Sequence, residues 1–257
     1  MTRAESESPS VLIPKTHPRA ASLHIREKLV HGFKEGLVVE EGLLAHGRGE
    51  MFDYLIGEKT TKTSRKAIRA AAVSLLTAKS PVISVNGNFT ALCAKEIVEL
   101  SKVTGAKIEV NLFYASEKRK KAIAGHLKKN GAKEILGIDP KFAKKIPKLD
   151  SARRVVDKRG IFSADVVLVP LEDGDRTIAL KKFGKDVITF DLNPMSRTAQ
   201  TADITIVDNV IRGMKILIDV CKKLSKQDLV EKKFDNKKNL KKSINTIRKN
   251  LRRMANA

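Results

Sequence analysis

The stretch HGRGE, residues 46–50, places an imidazole, a guanidinium and a carboxylate close together in the chain. Glycine on each side of Arg48 allows a ligand to approach the backbone closely, and a guanidinium presents a planar fork of donors that suits phosphate or carboxylate. The stretch therefore predicts an anion-binding site. The alternative is a helix that stops at Gly47, an exposed Arg48 and a second helix with acidic residues in its first turn.

Polar clusters follow the predicted strands of this sequence. They are VNGN (85–88), NLFY (111–114), PLEDGDR (170–176), DLNPMSR (191–197) and VDN (207–209). Ligands of open parallel sheets bind outside the carboxyl ends of the strands, so these clusters should meet at one edge of the sheet. Asp and Asn also make turns, and for any single cluster that explanation stays open.

Arginines and carboxylates near these clusters suit a phosphorylated ligand that carries a metal ion. The arginines outside predicted strands include Arg26, Arg48, Arg176 and Arg197. Guanidinium groups neutralise phosphate oxygens, and Asp or Glu can hold Mg²⁺. Asp191, at a strand end, could instead bind a ribose hydroxyl. The metal ligands themselves are not predicted.

The hydrophobic pattern predicts a three-layer, Rossmann-like α/β fold with a parallel sheet, a helical N-terminal segment and a basic C-terminal helix. Val/Ile-rich runs that alternate with helical patterns are typical of parallel strands covered on both faces. The predicted strands lie in PVISVNGN, KIEVNLF, EILGID, ADVVLVP, DVITFDLN and DITIVDN. The first N-terminal helix should carry an apolar stripe of Leu23, Leu29, Val30, Phe33 and Leu37. The second should have Thr63 or Ser64 as its N-cap.

Three segments are expected: a disordered tail (1–13), a single α/β domain with N-terminal helices (14–221) and a basic amphipathic helical segment (222–257). The formal net charge is +22, and the last 36 residues contain thirteen Lys and Arg against three acidic residues. Leu240, Ile244, Ile247 and Leu251 recur at helical spacing. This helix should dock on the body of the protein or on a second subunit. A nucleic-acid partner is the alternative, which the 4% aromatic content and the absence of Trp disfavour.

The sequence excludes several common classes. It contains no GxxxxGK[ST] motif, no dinucleotide fingerprint, no serine nucleophile elbow and no zinc-type spacing. No apolar run is long enough to span a membrane, and the start lacks the apolar core of a secretory signal, so we expect a cytoplasmic protein. Cys93 and Cys221 are expected to be buried thiols.

Five longer blocks resemble one family. They are HPRAASLHIREK, GLLAHGRGEMFDYLIGE, PVISVNGN, VPLEDGDRT and DLNPMSRTAQTADITIVDN. From Ile13 to about Ile218 the chain resembles the archaeal phosphopantothenate synthetase family, also called 4-phosphopantoate–β-alanine ligase. The resemblance implies a ligase of coenzyme A biosynthesis that condenses 4-phosphopantoate with β-alanine through an acyl-adenylate. The resemblance implies that ATP is a substrate, which is converted to AMP and diphosphate, and that Mg²⁺ takes part. It also implies that the protein is a homodimer.

The resemblance also assigns residues to the site. Its ATP-binding positions are Arg26, Arg48, Asp191, Leu192, Asn193, Arg197, Thr198, Asp208 and Asn209. Arg48 and Arg197 are expected to neutralise the departing diphosphate. The candidates for the base that frees the β-alanine amine, left unranked, are Glu50, Asp173 and Asp175.

Candidates for binding the acid substrate are His46, Asn86, Asn88 and Arg176. For His46 a structural role stays open beside direct contact. For Asn86 and Asn88 the alternative is an Asn-Gly turn.

Two other functions compete with the ligase. One is a nucleic-acid-binding protein that uses the C-terminal helix, and the other is a related α/β enzyme that adenylates or phosphorylates another small acid. Neither explains the strand-end clusters and the HGRGE stretch together, so the sequence favours the ligase.

Overall fold

The N-terminal part of the molecule is helical. The computed structural model describes residues 13–14, 16–17, 19–230 and 233–256. Helix α1 spans Ala20–Lys34, α2 spans Glu40–Ile56 and α3 spans Lys62–Thr77. Apart from Ile13, the predicted tail over residues 1–13 lies outside the described residues. In the described part of the chain, no helix combines the length and the apolar character needed to cross a membrane.

Strands and helices alternate after α3. In chain order they are β1 Val82–Val85, α4 Gly87–Thr104, β2 Lys107–Val110, α5 Glu117–Lys129, β3 Ala143–Lys145, β4 Val155–Asp157, β5 Val166–Leu168, α6 Gly174–Lys182, β6 Asp186–Phe190, α7 Arg197–Thr201, β7 Ile204–Ile206, α8 Val210–Lys223 and α9 Asn236–Ala255. Five parallel strands form the central sheet in the order β2-β1-β5-β6-β7, and β3 pairs with β4 separately. The strand order reverses between β1 and β5, and at such a point a crevice opens beyond the strand ends.

Side chains of the sheet point alternately to two apolar layers. In β6, Ile188 and Phe190 pack in the core cluster that contains α3, α4 and α8, whereas Val187 packs in the cluster that contains α6. This alternation follows from the two-residue period of a strand. Helices therefore cover both faces, and the predicted three-layer α/β class is confirmed.

Helix α2 runs without interruption through Gly47 and Gly49, so the helix stop considered at Gly47 is wrong. It ends instead at Gly57, whose φ of 93° closes the helix in the left-handed conformation. Glycine in a helix interior costs about 0.5–1 kcal/mol relative to alanine. A Cβ at Gly47 or Gly49 would meet no described atom within 4 Å, so packing in the described chain does not require glycine at either position.

Two other local predictions need correction. The N-cap of α3 is Thr61, whose hydroxyl accepts a hydrogen bond from the backbone N–H of Ser64 at 3.0 Å, rather than Thr63 or Ser64. The predicted strand EILGID forms only an isolated bridge at Leu136, because Gly137 turns the chain with a φ of 82°.

The basic helix α9 docks on the body of the same chain. Leu240 and Ile247 are buried against residues of α2 and of the segment after β7. Two side-chain amides of α9 bond to the backbone of Thr205. The N–H of Thr205 donates to Asn236 Oδ1 at 3.0 Å, and the carbonyl of Thr205 accepts from Asn239 Nδ2 at 2.8 Å. These side chains occupy hydrogen-bonding groups on the outer edge of β7, which would otherwise be free to pair with another chain.

Parts of both predicted apolar stripes stay uncovered. In α1, Leu29 is buried, but Val30 and Phe33 are each 39% exposed. In α9, Ile244 and Leu251 are 36% and 48% exposed. The stripes are broader than the surfaces on which the two helices pack within the described chain.

The edge strand β2 carries a fully buried carboxyl, Glu109. Its two oxygens accept the backbone N–H groups of Asp157 at 2.9 Å and Ile161 at 2.6 Å. Burial raises the pKa of Glu109 from 4.5 to about 7, against the opposing effect of these hydrogen bonds and of Arg176. Between these two pH values the folded state keeps a proton that the unfolded state has lost, so this group lowers stability as pH rises.

Glu109→Gln should remove this pH dependence. In urea unfolding, the wild type is expected to lose stability relative to the variant as the pH is raised from about 4.5 to about 7, because only the wild type binds the extra proton. Parallel curves for the two proteins over this range would contradict the raised pKa of Glu109.

Candidate active site

A cavity of about 960 Å³ opens at the carboxyl ends of the parallel strands, beneath α1 and α2. All five polar strand-end clusters contribute to its wall, among them Asn86, Phe113, Glu172, Asp191 and Asn209. The α2 residues on its wall include His46, Arg48, Gly49, Glu50 and Asp53. The structure thus brings the HGRGE stretch and the strand-end clusters to one site.

Arg48 lies exposed on the α2 side of this cavity and forms no ion pair with the described residues. An acidic group that senses its charge is Asp191 on the cavity wall. Burial raises the pKa of Asp191 and sets the net direction, whereas hydrogen bonds from Ser196 and the Asn193 backbone and the charge of Arg48 lower the pKa. Arg48 is therefore a cation that can bind an anionic ligand without first leaving a salt bridge.

The rim of the cavity carries a second arginine, Arg197. It pairs with Asp175, and both side chains are about two-thirds exposed. Exposed pairs of this kind contribute little, so Arg197 can turn toward a ligand at small cost. The neighbouring Thr198 is buried, and its hydroxyl donates to the carbonyl of Glu172 at 3.0 Å. Leu192 and Asn193 also line the cavity.

The carboxylate of Glu50 is held by Arg26 of α1 and by Tyr54, one turn further along α2. Arg26 donates to Glu50 Oε2 at 2.7 Å from Nη2 and 3.0 Å from Nε, and Tyr54 donates to Oε1 at 3.1 Å. Burial raises the pKa of Glu50, but these hydrogen bonds outweigh it and the net shift is downward, which makes Glu50 a weak base. Arg26 itself is not among the lining residues and reaches the site through Glu50.

His46 is half-buried on the same helix. Burial lowers its pKa from the ordinary value, with a smaller opposing contribution from the charge of Glu50. The imidazole is therefore neutral at pH 7 and can donate or accept a hydrogen bond.

The acidic loop after β5 places the buried side chain of Glu172 between two arginines, Arg153 and Arg176. Arg176 is completely buried, and its Nη2 donates to Ser84 Oγ at 3.0 Å. The direct substrate contact predicted for Arg176 does not fit this placement, because the guanidinium does not reach the cavity. Burial lowers the pKa of Arg153 to about 9, and the neighbouring charge of Arg176 adds to the effect.

Arg212 of α8 also lines the cavity and joins α2 to the segment after β7. It donates to both oxygens of Asp53, at 2.9 and 2.6 Å, and to Asp208 Oδ1 at 2.7 Å. Thr60 donates to the other oxygen of Asp208 at 2.6 Å. Asp208 is thus fully engaged below the wall, whereas Asn209 lines the cavity.

Asn86 and Asn88 both line the cavity, yet each already serves the fold. Asn86 caps α4, with Oδ1 accepting the N–H of Phe89 at 2.9 Å, and its Nδ2 donates to the carbonyl of Pro170 at 3.0 Å. Asn88 Nδ2 donates to the carbonyl of Gly42 at 2.7 Å. Asn86 is therefore a helix N-cap rather than part of the Asn-Gly turn considered as its alternative, and substrate binding by either residue stays a prediction.

Three arginines of the site were missed in the sequence. Arg119, Arg153 and Arg212 line the cavity. Arg153 lies in the stretch 140–160, where the sequence shows no periodic pattern, and Arg119 lies in a helix with many basic residues. Only the spacing of Asp208 and Arg212, one helical turn apart, could have indicated a pair.

Among the described residues no group of three or more His, Cys, Asp or Glu side chains could hold a metal ion. The two cysteines are buried thiols, as expected.

The parallel sheet, the crevice at its switch point and the convergent arginines are typical of α/β enzymes that bind anionic ligands. The chain belongs to the phosphopantothenate/pantothenate synthetase family, whose model matches residues 63–250. This match extends into α9, which the resemblance seen in the sequence had left out.

Similar proteins carry a more specific name. The 4-phosphopantoate–beta-alanine ligase of Thermococcus kodakarensis is 50% identical over 251 residues, which cover 95% of each chain. Proteins of the same name from Methanosarcina mazei and Methanospirillum hungatei are 49% and 48% identical, over 248 and 218 residues. These matches cover 95% and 85% of this chain, and 97% and 88% of the relatives.

Proposed function

We propose that this protein joins 4-phosphopantoate to β-alanine, with ATP as the energy source, to give 4′-phosphopantothenate, AMP and diphosphate in coenzyme A biosynthesis. The observation that carries the proposal is 50% identity over 95% of both chains to a ligase of that name. The cavity supports it, because its arginines can bind the phosphate groups of both ATP and the acid.

The first step activates the carboxylate. A free carboxylate is a poor acylating agent, whereas an acyl-adenylate carries AMP as a good leaving group. Negative charge grows on the departing diphosphate, and we expect Arg48 and Arg197, which both line the cavity, to stabilise it. Mg²⁺ is expected to enter bound to ATP, and EDTA should then abolish the reaction.

The second step needs a neutral amine. All three candidates pair with arginines: Glu50 with Arg26, Asp175 with Arg197, and Asp173 with Arg153, whose Nε lies 3.5 Å from Asp173 Oδ2. Asp173 Oδ2 accepts no hydrogen bond from the described residues and Asp173 lines the cavity, so we rank it first as the base that takes the proton of β-alanine. His46 is the proposed neutral donor to the acid substrate.

A homodimer is part of the proposal. Leu44 and Met51 lie seven residues apart on one face of α2, and they are 76% and 56% exposed. Apolar side chains exposed in this way suit burial against a second copy. Light scattering should give twice the chain mass of 28.4 kDa. The expected cytoplasmic location stays a prediction that cell fractionation can test.

The proposed reaction is tested by measuring AMP and diphosphate release from MgATP, 4-phosphopantoate and β-alanine, with each component omitted in turn. Release that needs all three, with a new amide product by mass spectrometry, would support the ligase. Release of ADP and phosphate would contradict the acyl-adenylate mechanism. Activity with a different acid but not with 4-phosphopantoate would contradict the proposed substrate.

Gly49→Ala should stabilise the protein and yet impair it. Alanine removes the helix penalty of about 0.5–1 kcal/mol, but its methyl group would occupy cavity space that the ligand needs. We expect higher stability in urea and a roughly tenfold lower kcat/KM, about 1.4 kcal/mol.

Gly47→Ala is the matched control, because Gly47 lies in the same helix but does not line the cavity. It should give the same stabilisation with kcat/KM unchanged. Equal activity of the two variants would contradict a close approach of the ligand to Gly49.

A further inference from the structure

The segment 140–161 leaves the sheet after α5 and returns before β5, and it brings Arg153 into the cavity wall. The side chain of Arg153 is only 8% exposed. It contacts Glu172, but its Nε has no hydrogen-bond partner among the described residues, with Asp173 Oδ2 3.5 Å away. A buried guanidinium with an unused donor is costly unless a ligand completes its hydrogen bonds.

The side chain of Glu109 holds one end of this segment. As described above, its two oxygens accept the N–H groups of Asp157 and Ile161. A Cβ at Gly160 would lie 2.1 Å from Glu109 Oε2, so only glycine allows the backbone to close on the carboxyl. The backbone of residues 157–161 therefore packs closely around the Glu109 carboxyl.

The side chain of Asn111 holds the residues around Arg153 itself. Asn111 follows β2 and is 3% exposed. Its Nδ2 donates to the carbonyl of Arg153 at 3.2 Å and to that of Val155 at 2.9 Å. The backbone of Arg153 is thus attached to the edge of the sheet by the hydrogen bonds of one side chain, Asn111, rather than by strand pairing.

We propose that Glu109 and Asn111 are positioning residues, which fix the backbone of residues 153–161 and so hold the Arg153 guanidinium where it meets the anionic substrate. The proposal rests on the proposed function for the identity of that substrate. Because a side chain displaced by about 1 Å can cost a large factor in rate, loosening this hold should lower activity without removing any group that touches the ligand.

A double-mutant cycle tests this role. Glu109→Gln keeps the shape of the side chain but turns an amide N–H₂ toward one of the two backbone N–H groups. We expect kcat/KM for 4-phosphopantoate to fall about tenfold in the wild-type background, chiefly through KM. In an Arg153→Ala background the same change should cost less than twofold, because its effect passes through Arg153. Asn111→Ala should behave in the same way and serves if Glu109→Gln does not fold.

Asp165→Asn is the matched control. Asp165 also accepts backbone N–H groups, those of Lys79 at 2.6 Å and Ser80 at 2.9 Å, but it precedes β5, at the opposite end of the strands from the cavity. This variant should lower the melting temperature and leave kcat/KM within twofold. An equal loss from Glu109→Gln in both backgrounds, or a folded Glu109→Gln variant with kcat/KM within threefold of wild type, would overturn the positioning role.

A binding measurement separates this proposal from the ligase assignment. 4-Phosphopantoate alone, without ATP or β-alanine, is titrated into the wild type, Glu109→Gln, Arg153→Ala and the double variant. At least fivefold weaker binding to Glu109→Gln, with no further loss in the Arg153→Ala background, would support the positioning role even if the wild type made no 4′-phosphopantothenate. Unchanged binding in Glu109→Gln would overturn it, while absence of the amide product in the wild type would count against the ligase alone.

Discussion

Replacement of Arg48 by alanine is expected to lower kcat/KM about 100-fold, or roughly 2.7 kcal/mol, mostly through kcat. Arg48 faces the cavity from α2 and forms no ion pair with any residue in the described ranges. In the proposed reaction, its charge is therefore available for the diphosphate that departs when the acid is adenylated. Arg48→Lys should recover only part of the loss, since lysine keeps the charge but lacks the planar fork of donors.

The control for Arg48 is Arg65→Ala. Arg65 is exposed on α3 and does not line the cavity, so its loss changes the net charge equally without affecting the site. Steady-state kinetics and urea unfolding on both variants would separate a catalytic defect from a folding defect. Activity of Arg48→Ala within threefold of wild type would remove Arg48 from the proposed mechanism.

Arg212→Ala is expected to destabilise the protein by about 3–5 kcal/mol. The side chain of Asp53 is 8% exposed and that of Asp208 is fully buried, and both pair with Arg212. Without the guanidinium, two buried carboxylates would face each other uncompensated. Urea unfolding at pH 7 measures the change, and ligase activity should fall with it, because this network fixes α2 against the segment after β7.

Two further variants check the origin of this loss. Arg69→Ala removes an exposed pair with Asp228 and should cost less than about 1 kcal/mol. Adding Asp53→Asn to Arg212→Ala should restore part of the stability, because one unpaired charge is removed. A loss for Arg212→Ala no larger than that for Arg69→Ala would contradict the buried network.

Sequence patterns were sufficient where the relevant physics is local. The apolar runs around Ile83, Val167 and Ile188 predict buried parallel strands, because each run is short, rich in β-branched residues and followed by a helical pattern. Once the strands were predicted to be parallel, the strand-end clusters followed, because parallel strands bring their carboxyl ends to one edge of the sheet. Thr61 was missed as a helix cap, and EILGID was wrongly assigned as a strand, because caps and turns depend on single backbone torsions.

The sequence alone determined the fold class, the family resemblance and the grouping of HGRGE with the strand-end clusters. Only the tertiary structure decided which arginines line the cavity: Arg176 is fully buried and does not line it, whereas Arg153 lines it from a segment without a periodic pattern. Arg212 bonds Asp53 across 159 positions of the chain. Helix and strand periodicity constrain neighbours within a few residues, whereas contacts between distant side chains arise only when the elements pack.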